Sequence, residues 1–173
     1  MESARLRYRP YKPEDDWFFM SLCLDPDVMR HIGDGRVRGR KEIGEWFQNV
    51  LARSRTGFGP WVVEKKDTGE PVGQAGLVKQ ILDGKEEWEI GYWMKKSCWG
   101  KGYASEAAAT FRDFALLDLR LDRVISIIQP ANIASIRVAV KIGMSLERHT
   151  RFQGIPVAVY SLQAGKTGED GGF

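Results

Sequence analysis

The spacing of apolar residues divides the chain into elements before any chemistry is considered. Ile43, Trp46, Phe47, Val50 and Leu51 fall at i, i+3, i+4, i+7 and i+8, one stripe of a helix predicted over 41–53. Upstream, Leu6-Arg7-Tyr8-Arg9-Pro10 alternates apolar and basic side chains, as a short half-buried strand does. Pro13 with Glu14, Asp15 and Asp16 supplies the chemistry of a helix start, and 17–24 continues it. Asp25-Pro26 restarts the chain, with Asp25 as N-cap and Pro26 in the first helical position. Gly33-Asp34-Gly35 then ends this short helix near His31.

Beyond residue 60 the period shortens to two. Residues 61–65, 72–79 and 87–94 read as strands, joined through Asp67-Thr68-Gly69 and Leu82-Asp83-Gly84. An Asp-Gly pair is what tight hairpins prefer, so an antiparallel meander is expected here. The period returns to helical over 104–118, then gives way to the β-branched run 123–128. Pro130-Ala131-Asn132 breaks that run, and 133–142 reads as a helix stopped by Gly143. Residues 145–152 and 156–162, hinged at Gln153-Gly154, form a last hairpin. The strand–helix–strand passage from Trp88 to Ile128 implies one parallel crossover in an otherwise antiparallel sheet. The expectation is an α/β (α+β) domain over 1–163, with a flexible tail over 164–173.

Composition narrows the partners. A chain of 173 residues can bury a core without staples. No apolar run approaches the roughly 20 residues of a membrane span, and Met1-Glu2-Ser3-Ala4-Arg5 lacks the apolar stretch of a leader. A cytoplasmic protein with no membrane partner is therefore expected. Cys23 and Cys98 stand apart, without the spacing of a disulfide framework or a metal site, so no metal is expected. A net charge of +3 is mild, and its densest clusters are Arg36-Val37-Arg38-Gly39-Arg40 and the alternating Arg5, Arg7 and Arg9. Neither forms a basic stripe with interleaved aromatics, which argues against nucleic acid. A phosphorylated or acidic small ligand could use the same charges.

The candidate chemistry centres on Trp99-Gly100-Lys101-Gly102-Tyr103-Ala104-Ser105-Glu106-Ala107, a glycine turn between a strand and a helix. The first N–H groups of a helix have no partner within it, and its dipole favours an anion there. Three phosphate-binding arrangements use such a turn. A P-loop needs a longer glycine spacing ending in Lys and Ser or Thr, which is absent. A dinucleotide fingerprint starting at Gly100 would put its third glycine on Ser105 and its acidic residue at Asp122. Asp122 precedes the next strand instead of following it, so that arrangement fails on position.

The third is a coenzyme A pyrophosphate loop. The six residues from Trp99 to Ala104 resemble the (Gln/Arg)-x-x-Gly-x-(Gly/Ala) motif of the GNAT acetyltransferases, with Trp99 in place of the usual Gln or Arg. Continued by Ser105-Glu106-Ala107, the form is similar to the RimJ/RimL-like branch of ribosomal-protein N-terminal acetyltransferases. Pro130-Ala131-Asn132-Ile133-Ala134-Ser135-Ile136-Arg137 and Lys141-Ile142-Gly143-Met144 resemble that family's second coenzyme motif. Asp25-Pro26-Asp27-Val28-Met29 and Asp67-Thr68-Gly69-Glu70-Pro71-Val72-Gly73 resemble the same branch.

The resemblance implies a seven-stranded, mostly antiparallel sheet with about four helices and a central parallel strand pair that splays apart. It implies acetyl-CoA as cosubstrate and direct transfer to a primary amine through a ternary complex. Tyr92, Trp93 and Met94 would offer backbone groups to pantetheine, with Ile128 across the splay. The backbone of Trp99, Gly100, Lys101, Gly102, Tyr103 and Ala104 would hold the pyrophosphate, and Asn132 and Ser135 would border the coenzyme. Asn132 is equally a good helix N-cap that needs no ligand. Trp17, Phe18 and residues 33–40 would shape an acceptor groove.

Direct transfer needs a base for the amine and, ideally, an acid for the departing thiolate. Glu89, on the strand bordering the thioester, is the first candidate base, and Glu87, on the same face, is the second. The tyrosine that many family members carry seven residues after the Asn is here Ala139, and Ser135 is the substitute acid. The acceptor is left open between a peptide α-amine and a small-molecule amine, with the arginine cluster leaning toward an acidic one. A homodimer is allowed. The rival functions are a coenzyme A-binding protein without catalysis and a nucleotide-binding enzyme using the glycine turn.

Overall fold

A computed structural model describes residues 1–165. Most of the expected tail lies outside the described residues. A seven-stranded sheet runs in the order β1 (Leu6–Arg9), β2 (Gly59–Lys65), β3 (Pro71–Leu82), β4 (Lys85–Met94), β5 (Arg123–Ile128), β7 (Ile155–Gln163), β6 (Ser145–Phe152). Among the described residues, only β4 and β5 run parallel.

The described residues form five α-helices where about four were expected: α1 (Asp16–Cys23), α2 (Pro26–Met29), α3 (Arg40–Ser54), α4 (Tyr103–Asp113) and α5 (Ile133–Lys141). The single turn α2 makes the difference. Asp25 starts it as the sequence requires, its carboxylate accepting from the N–H groups of Asp27 and Val28. Helix α4 does not stop at Asp113 but widens into a π turn over Phe114–Asp118. Among the described residues, no helix is long and apolar enough to cross a membrane.

The helices cover opposite faces of the sheet. Val62 packs with Phe18, Phe19, Met29, Ile43 and Phe47 from α1–α3, whereas its neighbour Val63 packs with Ala107, Phe111 and Ala139 from α4 and α5. Strand alternation turns successive side chains to opposite faces, so two cores arise from one sheet. The β3–β4 turn is the tight hairpin that Asp83-Gly84 predicts. Leu82 pairs with Lys85, and both turn residues have positive φ, 51° and 76°.

The feature that positions the site is a fork. The β3–β4 ladder continues to the pair Gly73 and Met94, but the β4–β5 ladder registers only Glu89 with Ile125. The buried Ser126 hydroxyl donates to the Ile90 carbonyl at 3.0 Å, a last link as the strands part. Because that carbonyl faces β5, the N–H and C=O of Tyr92, two residues on, turn the same way, into the gap. Gly73 holds the far wall in place. A Cβ there would lie 2.3 Å from the Trp93 carbonyl oxygen and 2.5 Å from Met94 Sδ. Gly73→Ala is therefore expected to displace the end of β4, costing about 1–3 kcal/mol in a denaturant titration and weakening coenzyme binding.

Candidate active site

The glycine turn lies between β4 and α4. Gly100 and Gly102 have φ of 73° and 80°, the left-handed region that glycine enters without a Cβ penalty. Gly102 is the N-cap of α4, and the first bond back into the helix runs from the Glu106 N–H to the Gly102 carbonyl at 3.0 Å. The N–H groups of Tyr103, Ala104 and Ser105 therefore point forward from the helix end. Alternating left-handed glycines ahead of them make the concave run of donors that suits an anion. Trp99 anchors the turn to the strand: its indole N–H donates to the Met94 carbonyl at 2.9 Å. The Lys101 side chain is exposed. The cradle of free donors at a helix start fits a pyrophosphate.

Glu89 sits where the fork opens. Its carboxylate accepts from Gln80 Nε2 on β3 at 2.7 Å and faces the Ile127 N–H on β5, between the two neighbouring strands. Protein atoms crowd the carboxylate, and this desolvation raises its pKa above the ordinary carboxylate value against the pull of those two donors. Glu87 shares the face but is held differently. Arg123 grips it with two bonds, of 3.0 and 2.9 Å, and also reaches Glu147.

On the opposite face of β4, the Tyr92 hydroxyl donates to the Ser135 carbonyl at 3.1 Å. Burial pushes the Tyr92 phenol up to about 12; the neighbouring Ser135 side chain pulls it down and the charge of Glu89 adds to the rise. Asn132 acts as the N-cap of α5, its side chain accepting from the Ser135 N–H at 3.2 Å. Ile128 is buried at the end of β5, and Ala139 is fully buried one turn beyond Ser135. The first turn of α5 thus meets β4 through the Tyr92 hydroxyl and the Ser135 carbonyl, with no acid at the Ala139 position.

Trp93 and Met94 diverge. The Trp93 ring packs against Phe19 and Trp46, at 6.3 and 5.3 Å between centroids, and so belongs to the α1–α3 side. Met94 is buried against the other core. Loop 33–39 is tied to the end of β5, Gln129 Nε2 donating to the Gly33 carbonyl at 2.7 Å. Arg38 lies over the Trp46 ring at 5.3 Å. The arginine cluster is not a free cationic patch: Arg36 and Arg38 both pair with Asp34 and Glu42. A cleft of about 650 Å³ lies between Ser21, Leu22, Asp25 and Val28 on one side and Lys95, Lys96 and Ser97 on the other. Cys98 is buried beside the loop, away from any reacting partner.

Two site neighbours escape a reading by motif. Gln80 is recoverable by counting register out from the Asp83-Gly84 turn, which sets it diagonally across from Glu89. The Tyr92 hydroxyl is signalled by alternation, since Tyr92 must face away from Trp93 and toward α5.

Residues 5–145 match the model of the acetyltransferase (GNAT) domain. YkkB, an uncharacterized protein of Bacillus subtilis, is 36% identical over 163 residues, covering 92% of this chain and 93% of its own length. The FsC-acetyl coenzyme A-N(2)-transacetylase of Aspergillus fumigatus is 31% identical over 154 residues, covering 84% of this chain and 64% of its own. An acetyltransferase of Agrobacterium tumefaciens superposes with a TM-score of 0.79 at 28% identity, over 94% of this chain and 93% of its own. The chain belongs to the GNAT acetyltransferase family, and it is an acyltransferase with acetyl-CoA as cosubstrate.

Proposed function

We propose that this enzyme N-acetylates a primary amine by direct transfer within a ternary complex, as a member of the RimJ/RimL-like branch. The observation that carries the mechanism is the placement of proton-handling groups on the two faces of β4 at the fork. Glu89 is on the α1–α3 face, and the hydroxyls of Tyr92 and Ser135 are on the α5 side. Acetyl-CoA supplies the acyl group as a thioester. The N–H groups from Gly100 to Ala104 hold its pyrophosphate, and the backbone of Tyr92 to Met94 lines its pantetheine arm. Glu89 takes the proton of the amine arriving from the α1–α3 side, directly or through one water. Gln80 keeps its carboxylate aimed into the fork. The Ser135 hydroxyl, on the leaving side, passes a proton to the departing coenzyme A thiolate and regains one from solvent, so that the thiol and the amide are the products. Tyr92 stays protonated at neutral pH, since burial pushes it up to about 12, and its hydroxyl is engaged by the Ser135 carbonyl. Glu87, gripped by Arg123, supports the sheet and takes no proton in this scheme.

The branch is supported by the form of the loop, Trp-Gly-Lys-Gly-Tyr-Ala-Ser-Glu-Ala, and by Pro130 to Arg137. The acceptor is a peptide α-amine or a small-molecule amine, seated against Trp46 and Trp93. Because Arg36 and Arg38 are already paired, they give no reason to favour an acidic acceptor.

A thiol-release assay with acetyl-CoA and a panel of amines, including N-terminal peptides, tests the activity. Release is expected with at least one amine, with initial-velocity lines that intersect. Parallel lines would rule out direct transfer in favour of an acylated enzyme. Coenzyme binding without release for any amine would leave a binding module.

A further inference from the structure

The N-terminal segment reaches into the glycine turn through one residue. Arg5 is separated by about a hundred positions from the turn, yet three of its groups engage it. Its backbone N–H and its Nε both donate to the Glu106 carboxylate at 2.7 Å, and its Nη1 donates to the Lys101 carbonyl at 2.9 Å. The guanidinium also lies over the Tyr103 ring, 4.7 Å from the centroid. Ser3 adds a further bond to Glu106, also at 2.7 Å. Glu106 pays for none of this by staying neutral: these partners hold its carboxyl below the usual range, outweighing its partial burial.

Two physical consequences follow for an anion bound at the turn. A trans peptide is planar, so its carbonyl and its N–H point in opposite directions. Arg5 holds the Lys101 carbonyl, and this fixes the Gly102 N–H of the same peptide pointing away from Arg5, toward the open side of the turn. Glu106, in the first turn of α4, would otherwise place an uncompensated negative charge beside the very end of the helix that attracts anions. The guanidinium and the Ser3 hydroxyl absorb that charge. A lysine could not do both jobs, because it is a point charge and lacks the planar fork that spans carboxylate and carbonyl together.

We propose that Arg5, with Glu106, is a positioning pair for the coenzyme: it sets the 101–102 peptide plane and neutralises the helix start, so that the turn can hold a pyrophosphate. This rests on the reading that the Gly100–Ala104 backbone is the pyrophosphate site. Arg5 touches no reacting atom. Its side chain is half exposed, at 51%, and lies outside both cores, so its replacement leaves the fold in place.

The experiment compares wild type with Arg5→Met, which keeps the apolar stem over Tyr103, and with Arg5→Lys. Calorimetry with coenzyme A should show Kd raised about tenfold in Arg5→Met and severalfold in Arg5→Lys, with unchanged thermal midpoints in the absence of ligand. The second readout uses S-acetylpantetheine, a donor without pyrophosphate: its kcat/KM should be the same in all three proteins. Coenzyme affinity within twofold of wild type in Arg5→Met would overturn the proposal. So would equal losses with both donors, which would mark a general structural defect. If wild-type affinity for coenzyme A proves no greater than for pantetheine, the pyrophosphate reading falls, and the pair's role with it.

Discussion

Glu89→Gln is expected to lower kcat by at least a hundredfold, the lower end of what a positioned general base contributes. The substitution keeps the size of the side chain and an oxygen able to accept from Gln80 Nε2. It removes only the ability to take a proton at the fork. The KM for acetyl-CoA should be unchanged, because the loop and the pantetheine wall are untouched. The pH dependence carries the sharper signature. Desolvation raises the Glu89 pKa above its ordinary value of 4.5, so the wild-type rate should fall as pH drops through that raised value, and this limb should vanish in the variant. The acceptor's own deprotonation adds a second limb, which moves with the pKa of the amine; two acceptors of different basicity separate them. A variant that keeps the Glu89 limb would transfer the base role elsewhere, with a water molecule as the first alternative.

The same shift has a consequence for stability, with a definite sign. A carboxyl whose folded pKa lies above its unfolded one stabilises the fold below the unfolded value, and that contribution is lost as pH rises through the folded one. Once ionised, above that folded value, the crowded Glu89 is therefore a burden on the folded state. Glu89→Gln should melt higher than wild type near neutrality, and the difference should shrink as the pH approaches 4.

Much of this architecture is legible in the chain because local rules decide it. Asp83-Gly84 fixes the hairpin register, Asp25-Pro26 starts α2, and Asn132 caps α5 by the same chemistry that a helix start always needs. The glycine turn is legible for the same reason: its backbone angles exclude most other residues. What escapes are the pairings between distant segments. Glu87 reads as a free carboxylate on a strand until β5 brings Arg123 against it. Arg36 and Arg38 read as a cationic cluster until α3 supplies Glu42. Arg5 reads as one of three alternating arginines, and nothing near it in sequence points to Glu106 or Lys101. Charge composition records how many ionic groups exist, while the fold decides which remain free to meet a substrate.

Gly102→Val is expected to abolish coenzyme A binding while leaving the fold intact. Gly102 holds a φ of 80°, where a β-branched side chain is strained by about 1–3 kcal/mol. A Cβ at this position would meet Arg5 Nη2 at 3.4 Å, the end of a flexible side chain and not packed backbone. The strain is therefore relieved locally, by rotation of the turn, and the cores beneath are unaffected. That rotation turns the Gly102 N–H out of line and disturbs the free donors of Tyr103 and Ala104, so the cradle is lost even though each residue remains. Thermal shift measures the loss: coenzyme A at a hundredfold excess over Kd stabilises wild type by about 2.7 kcal/mol, and the variant should gain nothing. Gly84→Val supplies the control, since Gly84 has a similar φ of 76° and open space around it, in the β3–β4 turn at the opposite end of β4. It should carry a similar local strain and keep the full coenzyme shift. Retention of that shift in Gly102→Val would mean that the turn, for all its unpaired N–H groups, does not hold the phosphates.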